Sequence, residues 1–249
     1  MKDSPKNHKW VLTEDGSYTL FSEAFQEACH STSGAKEETI LHYIKGCQVH
    51  EKLISQNDLT ILEVGFGLGL GFLTTLEEIK KYEKPVHFLS LEIDPELLNW
   101  FQEQYPQMQW HQGEFNYLEG IFGKIKLTVL CGDARKSLPW FAKNYPFKVH
   151  AIYQDAFSPK KNPVLWSVEW FEFLKTISAE DVTLSTYSSS SSIRKSLIQA
   201  GWTLQKGEKF GPKRSSTRAS LQGISDPEIL EQLARSPVEA LTDESIGLK

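Results

Sequence analysis

Residues 61–71 have the sequence ILEVGFGLGLG, in which an apolar run ends in alternating glycines. The residues from Leu68 to Lys81 follow with a helical pattern. This order predicts a strand, a tight turn and a helix, the first unit of an open α/β sheet that binds a nucleotide-like ligand. Glycine lets the backbone approach a ligand closely or take a positive φ without steric cost, so the turn predicts contact with a ligand.

The spacing of these glycines distinguishes between ligands. In the dinucleotide pattern G-x-G-x-x-G counted from Gly65, the last position is Leu70, where that pattern requires glycine or alanine. Glu63 stands two residues before Gly65, and a carboxylate there disfavours phosphate and favours positive charge. S-adenosylmethionine (SAM) carries a sulfonium and an ammonium group without phosphate. SAM-dependent methyltransferases have an acidic residue followed by G-x-G-x-G, and the glycines of that pattern are here Gly65, Gly67 and Gly69. The alternative is a glycine-rich turn that connects the strand to the helix and binds no ligand.

Length and composition favour one soluble α/β domain with additions. The chain has 249 residues, 40% of them hydrophobic, and no apolar stretch approaches the roughly 20 residues of a membrane helix. Residues 1–10 lack the apolar core of a signal peptide. Cys29, Cys47 and Cys131 are widely spaced, and the histidines form no H-x-x-x-H pair. We therefore expect a reducing, cytoplasmic location, no disulfide and no metal site.

Charge is unevenly distributed along the chain, whose formal net charge is −5. Residues 222–249 hold six acidic and two basic residues, whereas residues 204–221 hold five basic residues and one acidic residue. A local basic segment can contact phosphates whatever the total charge of the protein. Because basic surface loops are common, this segment alone leaves RNA binding undecided.

The pattern along the chain predicts three regions. Residues 1–57 combine a hairpin and a helical pattern and form an N-terminal accessory layer, residues 58–221 form the methyltransferase domain, and residues 222–249 form an amphipathic helix with a frayed tail. Residues 105–126 interrupt the alternation of strands and helices and are expected to be an insertion. Strands are expected near 60–64, 86–92, 127–131, 148–154 and 181–186, with antiparallel end strands near 202–206 and 216–221. The expected fold class is α/β: a Rossmann-like SAM-dependent methyltransferase fold with a mostly parallel twisted sheet.

Acidic residues follow the second and third of these strands. Glu92 ends the second strand, 21 positions after Gly71, where a carboxylate can accept hydrogen bonds from both ribose hydroxyls. Asp133, followed by Ala134, comes after the third strand, where it can accept a bond from the adenine amino group. Asp133 can equally be the N-cap of the next helix, and one residue can serve both purposes.

Asp155 follows the fourth strand. Since ligands of open α/β sheets lie beyond the carboxyl ends of the strands, we expect Asp155 beside the methyl group of the cofactor and its acceptor. A carboxylate suits an amine acceptor, because an alkylammonium must lose a proton before it can attack a sulfonium. The alternative is that Asp155 only caps the following loop. Phe157 either shapes the acceptor pocket or stiffens that loop.

With these residues, the chain resembles the methyltransferase domain of the MnmC family of bacterial tRNA-modification enzymes. The matching segments are residues 63–69, the loop DAFSPKKNP at 155–163 and FGPKR at 210–214, within a similarity that spans about residues 10–221. The resemblance implies SAM-dependent methylation of the aminomethyl group on C5 of wobble uridine in tRNA, giving 5-methylaminomethyl(-2-thio)uridine. It places Asp155 at the methyl-transfer site and implies that Glu92 and Asp133 hold the ribose and the adenine.

Two-domain members of the family carry a C-terminal FAD-dependent oxidase, for which a chain that ends at Lys249 has no room. The resemblance therefore implies a stand-alone methyltransferase that uses SAM without FAD, and the spacing of the cysteines and histidines indicates no metal. The rival functions are an aminopropyltransferase-like polyamine synthase and a non-catalytic RNA-binding module; the sequence does not indicate an oligomeric state.

The expected catalytic residue is Asp155. The expected cofactor-binding residues are Glu63, Gly65, Gly67, Gly69, Glu92, Asp133, Ala134 and Asp155. The expected substrate- and tRNA-binding residues are Phe157, Lys160, Lys161, Lys213 and Arg214.

Overall fold

A computed structural model describes residues 5, 8–12, 18–28, 34–207 and 216–248. It contains a three-stranded N-terminal sheet and a nine-stranded main sheet. The strands are β1 (His8–Leu12), β2 (Tyr18–Ser22), β3 (Glu27–Ala28), β4 (Leu59–Val64), β5 (Val86–Glu92), β6 (Gln109–His111), β7 (Tyr117–Phe122), β8 (Ile125–Cys131), β9 (Val149–Gln154), β10 (Ser178–Thr186), β11 (Thr203–Lys206) and β12 (Thr217–Ser220). The α-helices are α1 (Ala35–Glu38), α2 (Val49–Ser55), α3 (Leu70–Ile79), α4 (Pro95–Gln104), α5 (Ala134–Asn144), α6 (Val168–Ile177), α7 (Ser191–Gln199) and α8 (Pro227–Arg235).

The main sheet has the strand order β11-β12-β10-β9-β4-β5-β8-β7-β6. Its five central strands are parallel, and β12 runs antiparallel to both of its neighbours. Chain order proceeds outward from β4 in both directions, first through β5 and β8 and later through β9 and β10. Open α/β sheets bind ligands at such a reversal point, at the carboxyl ends of the strands. The expected α/β fold with antiparallel strands at its end is confirmed, but the sheet is mixed rather than mostly parallel, with four parallel and four antiparallel pairings.

Alternating residues of the central strands pack into two separate clusters, one on each face of the sheet. Leu62 of β4 belongs to one cluster and Ile61 to the other. Both side chains are fully buried. This burial on both faces explains why the central strands are continuous apolar runs rather than alternating apolar and polar residues.

Two outer parts of the chain join the main body of the protein. Residues 105–126, expected as an insertion between the second helix and the third strand, lie between α4 and β8, and their strands β6 and β7 form an antiparallel extension of the β8 edge. The tail after α8, expected to be frayed, is instead docked: Arg135 Nη1 donates to Asp243 Oδ1 at 2.9 Å, and the Val168 amide donates to the Leu241 carbonyl at 2.8 Å. The amphipathic helix itself is present as α8, with Ile229 buried.

The N-terminal region forms its expected hairpin and helix with one difference. Strands β1 and β2 pair antiparallel, and the turn between them lies outside the described residues. The helical pattern of residues 34–55 becomes α1, a π-helix over Thr39–Lys45, and α2. Gly46 follows the last residue of the π-helix, and a Cβ there would lie 2.5 Å from Ser185 Oγ of β10. Because glycine has no side chain, this helix can approach the main sheet closely. None of the described helices has the length and apolar character of a membrane span.

Candidate active site

A partly open pocket that holds about 530 Å³, open solvent included, lies at the carboxyl edge of the main sheet, at the reversal point of the strand order. The chain at the carboxyl ends of β4, β5, β8 and β9 contributes one wall residue each, namely Gly65, Glu92, Asp133 and Ala156. A fifth wall residue, Phe25, comes from the N-terminal region. The pocket is thus where the sequence predicts the ligand.

The glycine turn shapes this pocket, but its glycines have different roles. Gly65 has a φ of +105°, and a Cβ there would lie 2.8 Å from the Asp155 carbonyl oxygen, so its absence lets β4 and β9 end side by side. The Gly67 amide donates to Glu92 Oε2 at 2.8 Å. A Cβ on Gly69 would lie 2.6 Å from the Phe101 ring. Gly69 therefore permits close packing at the start of α3, whereas Gly65 lines the pocket.

Glu92 is held at the pocket wall by two backbone amides. Its Oε2 accepts from Gly67 and its Oε1 accepts from the Asp94 amide at 2.9 Å. Burial raises the pKa of this carboxyl to about 7, although the amide bonds act in the opposite direction. Each carboxylate oxygen can accept more than one hydrogen bond. Glu92 can therefore hold a ligand with vicinal hydroxyls, as a ribose has.

Asp133 caps α5, as one of its two interpretations predicts. Its Oδ1 accepts from the Arg135 amide at 3.0 Å, and its Oδ2 lies 3.7 Å from Lys136 Nζ. Asp133 and Ala134 also line the pocket. The helix cap therefore fixes this carboxylate at the wall, and its assignment to the adenine stays a prediction.

Glu63 does not line this pocket, contrary to its assignment as a cofactor ligand. Its carboxyl is 2% exposed and accepts a hydrogen bond from Ser90 Oγ at 2.7 Å. Burial raises the pKa of Glu63 well above its usual value, and the nearby Asp155 and Glu92 carboxylates raise it further. The reason is local: Gly71 has no side chain, so the carboxyl of Glu63 fits beneath the first turn of α3. Negative charge at the pocket itself comes from Glu92 and Asp133.

Asp155 lies directly beyond β9, next to the wall residue Ala156. Its amide donates to the Val64 carbonyl at 3.1 Å, which continues the pairing of β9 with β4. Its Oδ1 accepts a hydrogen bond from the hydroxyl of Tyr43, at 2.5 Å. Tyr187 lies on the same side and donates to the Ala156 carbonyl at 2.9 Å. The carboxylate of Asp155 thus lies beside the wall of the pocket and accepts a hydrogen bond from a tyrosine of the N-terminal region.

The loop after Asp155 is clamped by the N-terminal region. Phe157 stacks on Phe25 with ring centroids 4.4 Å apart, and both rings line the pocket. Glu27 Oε2 accepts from both the amide and the hydroxyl of Ser158, each at 3.0 Å. Lys160 and Lys161 follow at an exposed turn of the same loop. Lys213 and Arg214, the other expected phosphate contacts, lie outside the described residues.

Three important residues were absent from the sequence prediction: Phe25, Tyr43 and Tyr187. Each comes from an element that carries no cofactor motif, and each meets the site through the tertiary fold. Tyr43 and Asp155 are 112 positions apart. Tyr43 is buried, but burial alone does not distinguish a core tyrosine from one that contacts a site residue.

The charges at the site fit SAM and disfavour a phosphorylated ligand. Glu92 and Asp133 line the pocket, and within the part of the chain that the structure describes, no lysine or arginine does so. Gly132 also lines the pocket, together with these two carboxylates. Its φ is +117°, and a Cβ there would have no atom within 4 Å. A metal ion has no comparable site, since the described residues contain no cluster of three or more potential metal ligands.

Comparisons with known proteins agree with this geometry. Residues 95–222 match the model of a family described as S-adenosyl-L-methionine-dependent methyltransferase. A solved structure titled as MNMC2 from Aquifex aeolicus superposes with a TM-score of 0.77 and 29% sequence identity, covering 96% of this chain and 79% of the other.

Two curated relatives carry the name tRNA 5-methylaminomethyl-2-thiouridine biosynthesis bifunctional protein MnmC. The protein from Leptospira interrogans is 33% identical over 230 residues, which cover 82% of this chain and 34% of the relative. The protein from Azoarcus sp. (strain BH72) is 31% identical over 231 residues, which cover 85% and 35%. The chain thus spans about a third of the length of these relatives. The resemblance found in the sequence is confirmed, and the chain belongs to the S-adenosyl-L-methionine-dependent methyltransferase family.

Proposed function

We propose that this chain methylates the aminomethyl nitrogen on C5 of wobble uridine in tRNA, in the cytoplasm, to give 5-methylaminomethyl(-2-thio)uridine. The names of the MnmC relatives support the substrate, since they refer to biosynthesis of this nucleoside. The observation that carries the proposal is the position of Asp155, a carboxylate beyond β9 that lies beside the pocket and accepts a hydrogen bond from Tyr43. An acceptor that arrives as a cation requires such a group.

The pocket residues would hold the cofactor by its nucleoside. Glu92, fixed by the amides of Gly67 and Asp94, would accept from the ribose hydroxyls. Asp133 would accept from the adenine amino group while it caps α5. When bound, SAM supplies a methyl group on a sulfonium, which a neutral nitrogen can attack. The acidic wall favours this cation over a nucleotide that carries phosphate.

Asp155 would act on the acceptor amine. An aminomethyl group is mostly protonated at neutral pH and has no lone pair in that form. The carboxylate can accept a hydrogen bond from the ammonium, orient it and pass its proton to water. Alignment contributes further, because a nucleophile must lie within about 3–3.5 Å of the carbon that it attacks. General-base catalysis of this kind contributes about 10²–10⁴-fold to the rate.

The loop around Phe157 would receive the base, and nearby lysines would hold the RNA. Single-stranded RNA loops are recognised by bases that turn out and stack on aromatic side chains, and Phe157 with Phe25 offers such a surface at the pocket. Lys160 and Lys161 are exposed three and four residues beyond Phe157. They would contact phosphates of the anticodon loop, together with Lys213 and Arg214 of the basic segment.

Mass spectrometry of nucleosides tests this proposal directly. tRNA that carries 5-aminomethyl(-2-thio)uridine is incubated with the protein and SAM, digested and analysed. The expected result is loss of the aminomethyl nucleoside and gain of a nucleoside heavier by one CH₂ unit, with no product from tRNA that has unmodified wobble uridine. Transfer to a free diamine in place of tRNA would favour a polyamine synthase. Binding of SAM without any transfer would favour a non-catalytic RNA-binding module.

A further inference from the structure

The N-terminal region contributes a polar side chain to the acceptor side of the site. The Tyr43 hydroxyl donates to Asp155 Oδ1 at 2.5 Å, across 112 positions of sequence. Tyr43 is only 3% exposed, so water does not compete freely for this bond. A hydrogen bond to a charged group is about twice as strong as one between neutral groups.

Tyr43 is rigidly held in this position. Its ring stacks on Tyr153 of β9, with ring centroids 5.3 Å apart. It belongs to the π-helix Thr39–Lys45, and π-helical turns occur frequently at functional sites. This helix is tied to the main sheet by the hydroxyl of Ser185, which donates to the His42 carbonyl. The position of Tyr43 is therefore fixed by the ring stacking on Tyr153 and by the hydrogen bond that holds its helix to the main sheet.

Burial and the charge of Asp155 keep the Tyr43 hydroxyl protonated, so that it can donate a hydrogen bond. Burial raises the pKa of Tyr43 well above its usual value, and the charge of Asp155 and the hydrogen bond to it raise the pKa further. The titratable groups around Asp155 include Tyr43 of the π-helix, Tyr187 after β10 and Glu63 of β4. From the N-terminal region, the Glu38 carboxyl acts on both Tyr43 and Tyr187, and the Glu27 carboxyl acts on Tyr187. Of these, Tyr187 directs its hydroxyl to the Ala156 carbonyl, and Glu63 bonds to Ser90.

We propose that Tyr43 is a positioning residue for methyl transfer: its hydroxyl fixes the Asp155 carboxylate in its ionised form and in the orientation that receives the acceptor amine. This inference rests on the proposed function and adds to it a residue from outside the methyltransferase motifs. A carboxylate has about four acceptor sites, so bonds from Tyr43 and from an amine can form on the same group.

Replacement of single hydroxyls tests the inference, with a matched control in the same aromatic stack. Tyr43→Phe removes the donor to Asp155 and keeps the ring. Tyr153→Phe also removes one buried hydroxyl, but that hydroxyl lies 3.3 Å from Thr75 Oγ1 and does not contact Asp155. For each variant, the measurements are kcat and KM with tRNA, the dissociation constant of SAM, and the titration midpoint of the ¹³C-labelled Asp155 carboxyl by NMR.

Tyr43→Phe is expected to lower kcat about tenfold to hundredfold, the range that corresponds to one hydrogen bond to a charged group. The affinity for SAM is expected to stay within about twofold. Loss of a donor to the ionised form moves the Asp155 midpoint, and the acidic limb of the kcat profile, to higher pH. Tyr153→Phe is expected to leave both kcat and the Asp155 midpoint unchanged. Adding Tyr43→Phe to Asp155→Asn should cause no further loss of kcat, because the two residues act as one unit.

Three results would overturn the inference, and they are distinguishable. If the wild-type protein methylates tRNA but Tyr43→Phe keeps its kcat and the Asp155 midpoint, Tyr43 has no positioning role and the proposed function stands. A further loss of kcat in the double variant, equal to the loss from Tyr43→Phe alone, would likewise show that Tyr43 acts independently of Asp155. If the wild-type protein methylates no tRNA, the proposed function fails, and with it the role of Tyr43 in methyl transfer, whatever the titration shows.

Discussion

The carboxyl of Glu63 occupies the space that a side chain at Gly71 would need. A Cβ on Gly71 would lie 1.8 Å from Glu63 Oε1, a separation that no two such atoms can have. The other oxygen, Oε2, accepts from Ser90 Oγ at 2.7 Å. The first turn of α3 therefore packs directly on a buried acid near the end of β4.

Gly71→Ala should therefore disturb both stability and cofactor binding. The added methyl group must displace either the Glu63 carboxyl or the start of α3, and overpacking of this kind costs about 1–3 kcal/mol. Because α3 follows the turn that holds Gly67 against Glu92, SAM should also bind more weakly. Denaturant unfolding and calorimetry with SAM measure the two effects.

Gly113→Ala is the matched control for this substitution. The nearest atom to a Cβ at Gly113 would be 3.6 Å away, an ordinary contact, so its free energy of unfolding should change by no more than about 0.5 kcal/mol. Equal stability of the two variants would show that Glu63 moves aside at no cost.

The pKa of Glu92 predicts a pH dependence of nucleoside binding. Burial raises this pKa to about 7 in the unliganded pocket, whereas ribose hydroxyls donate to the ionised form. Binding must therefore displace a proton below about pH 7, and affinity should fall as the pH is lowered, by up to about tenfold per unit. 5′-Methylthioadenosine is the suitable probe for calorimetry between about pH 6 and about pH 8, because it keeps the ribose and lacks the ammonium group of SAM.

Glu92→Gln separates this effect from other titrations. The amide does not ionise, so the affinity of the variant for 5′-methylthioadenosine should be independent of pH over the same range. At about pH 8 it should also bind at least about tenfold more weakly than the wild-type protein, since hydrogen bonds to charged groups contribute about 1.5–3 kcal/mol. A wild-type affinity that does not vary with pH would contradict the assignment of Glu92 to the ribose.

The local part of this site could be predicted from sequence, because one continuous segment determines it. The apolar run of β4, the glycines after it and the helix α3 follow one another within about twenty residues. Glu92 ends a strand that is visible as an apolar run, and Asp133 follows another. The carboxyl ends of parallel strands meet at one edge, so these side chains had to converge. The antiparallel pair β6 and β7 was missed because β6 has only three residues, none of them buried, and only two of the six residues of β7 are buried, so neither strand is a continuous apolar run.

The contacts made by the N-terminal region could not be predicted in this way. Tyr43 reaches Asp155, and Phe25 reaches Phe157, only after the accessory layer has packed on the main sheet. Neither pairing leaves a periodic signal in the chain. The burial of Glu63 could not be predicted for a related reason: it follows from a tertiary contact with Gly71, which the sequence pattern does not show.

Asp155→Asn should separate catalysis from cofactor binding. The amide keeps the shape of the side chain but cannot take a proton from the acceptor, so kcat should fall by about 10²–10⁴-fold. The dissociation constant of SAM should change by less than about threefold, because Glu92 and Asp133 line the pocket and Asp155 lies beside it. Single-turnover kinetics and calorimetry check the two values. Equal losses in both would identify Asp155 as a cofactor ligand instead.

Lys160 and Lys161 should account for part of the salt dependence of tRNA binding. Each phosphate contact that is lost reduces the slope of log K against log salt concentration by about 0.7–0.9. Replacing both lysines by alanine should therefore weaken binding and lower the slope by up to about 1.8, with little change in SAM affinity. The matched control is the double alanine variant at Lys80 and Lys81, another pair of consecutive exposed lysines, which precedes β5 and so lies at the opposite edge of the sheet. If the control lowers the slope as much as the Lys160 and Lys161 variant does, the RNA does not approach the protein at the carboxyl edge, and the loop after Asp155 is not its docking surface.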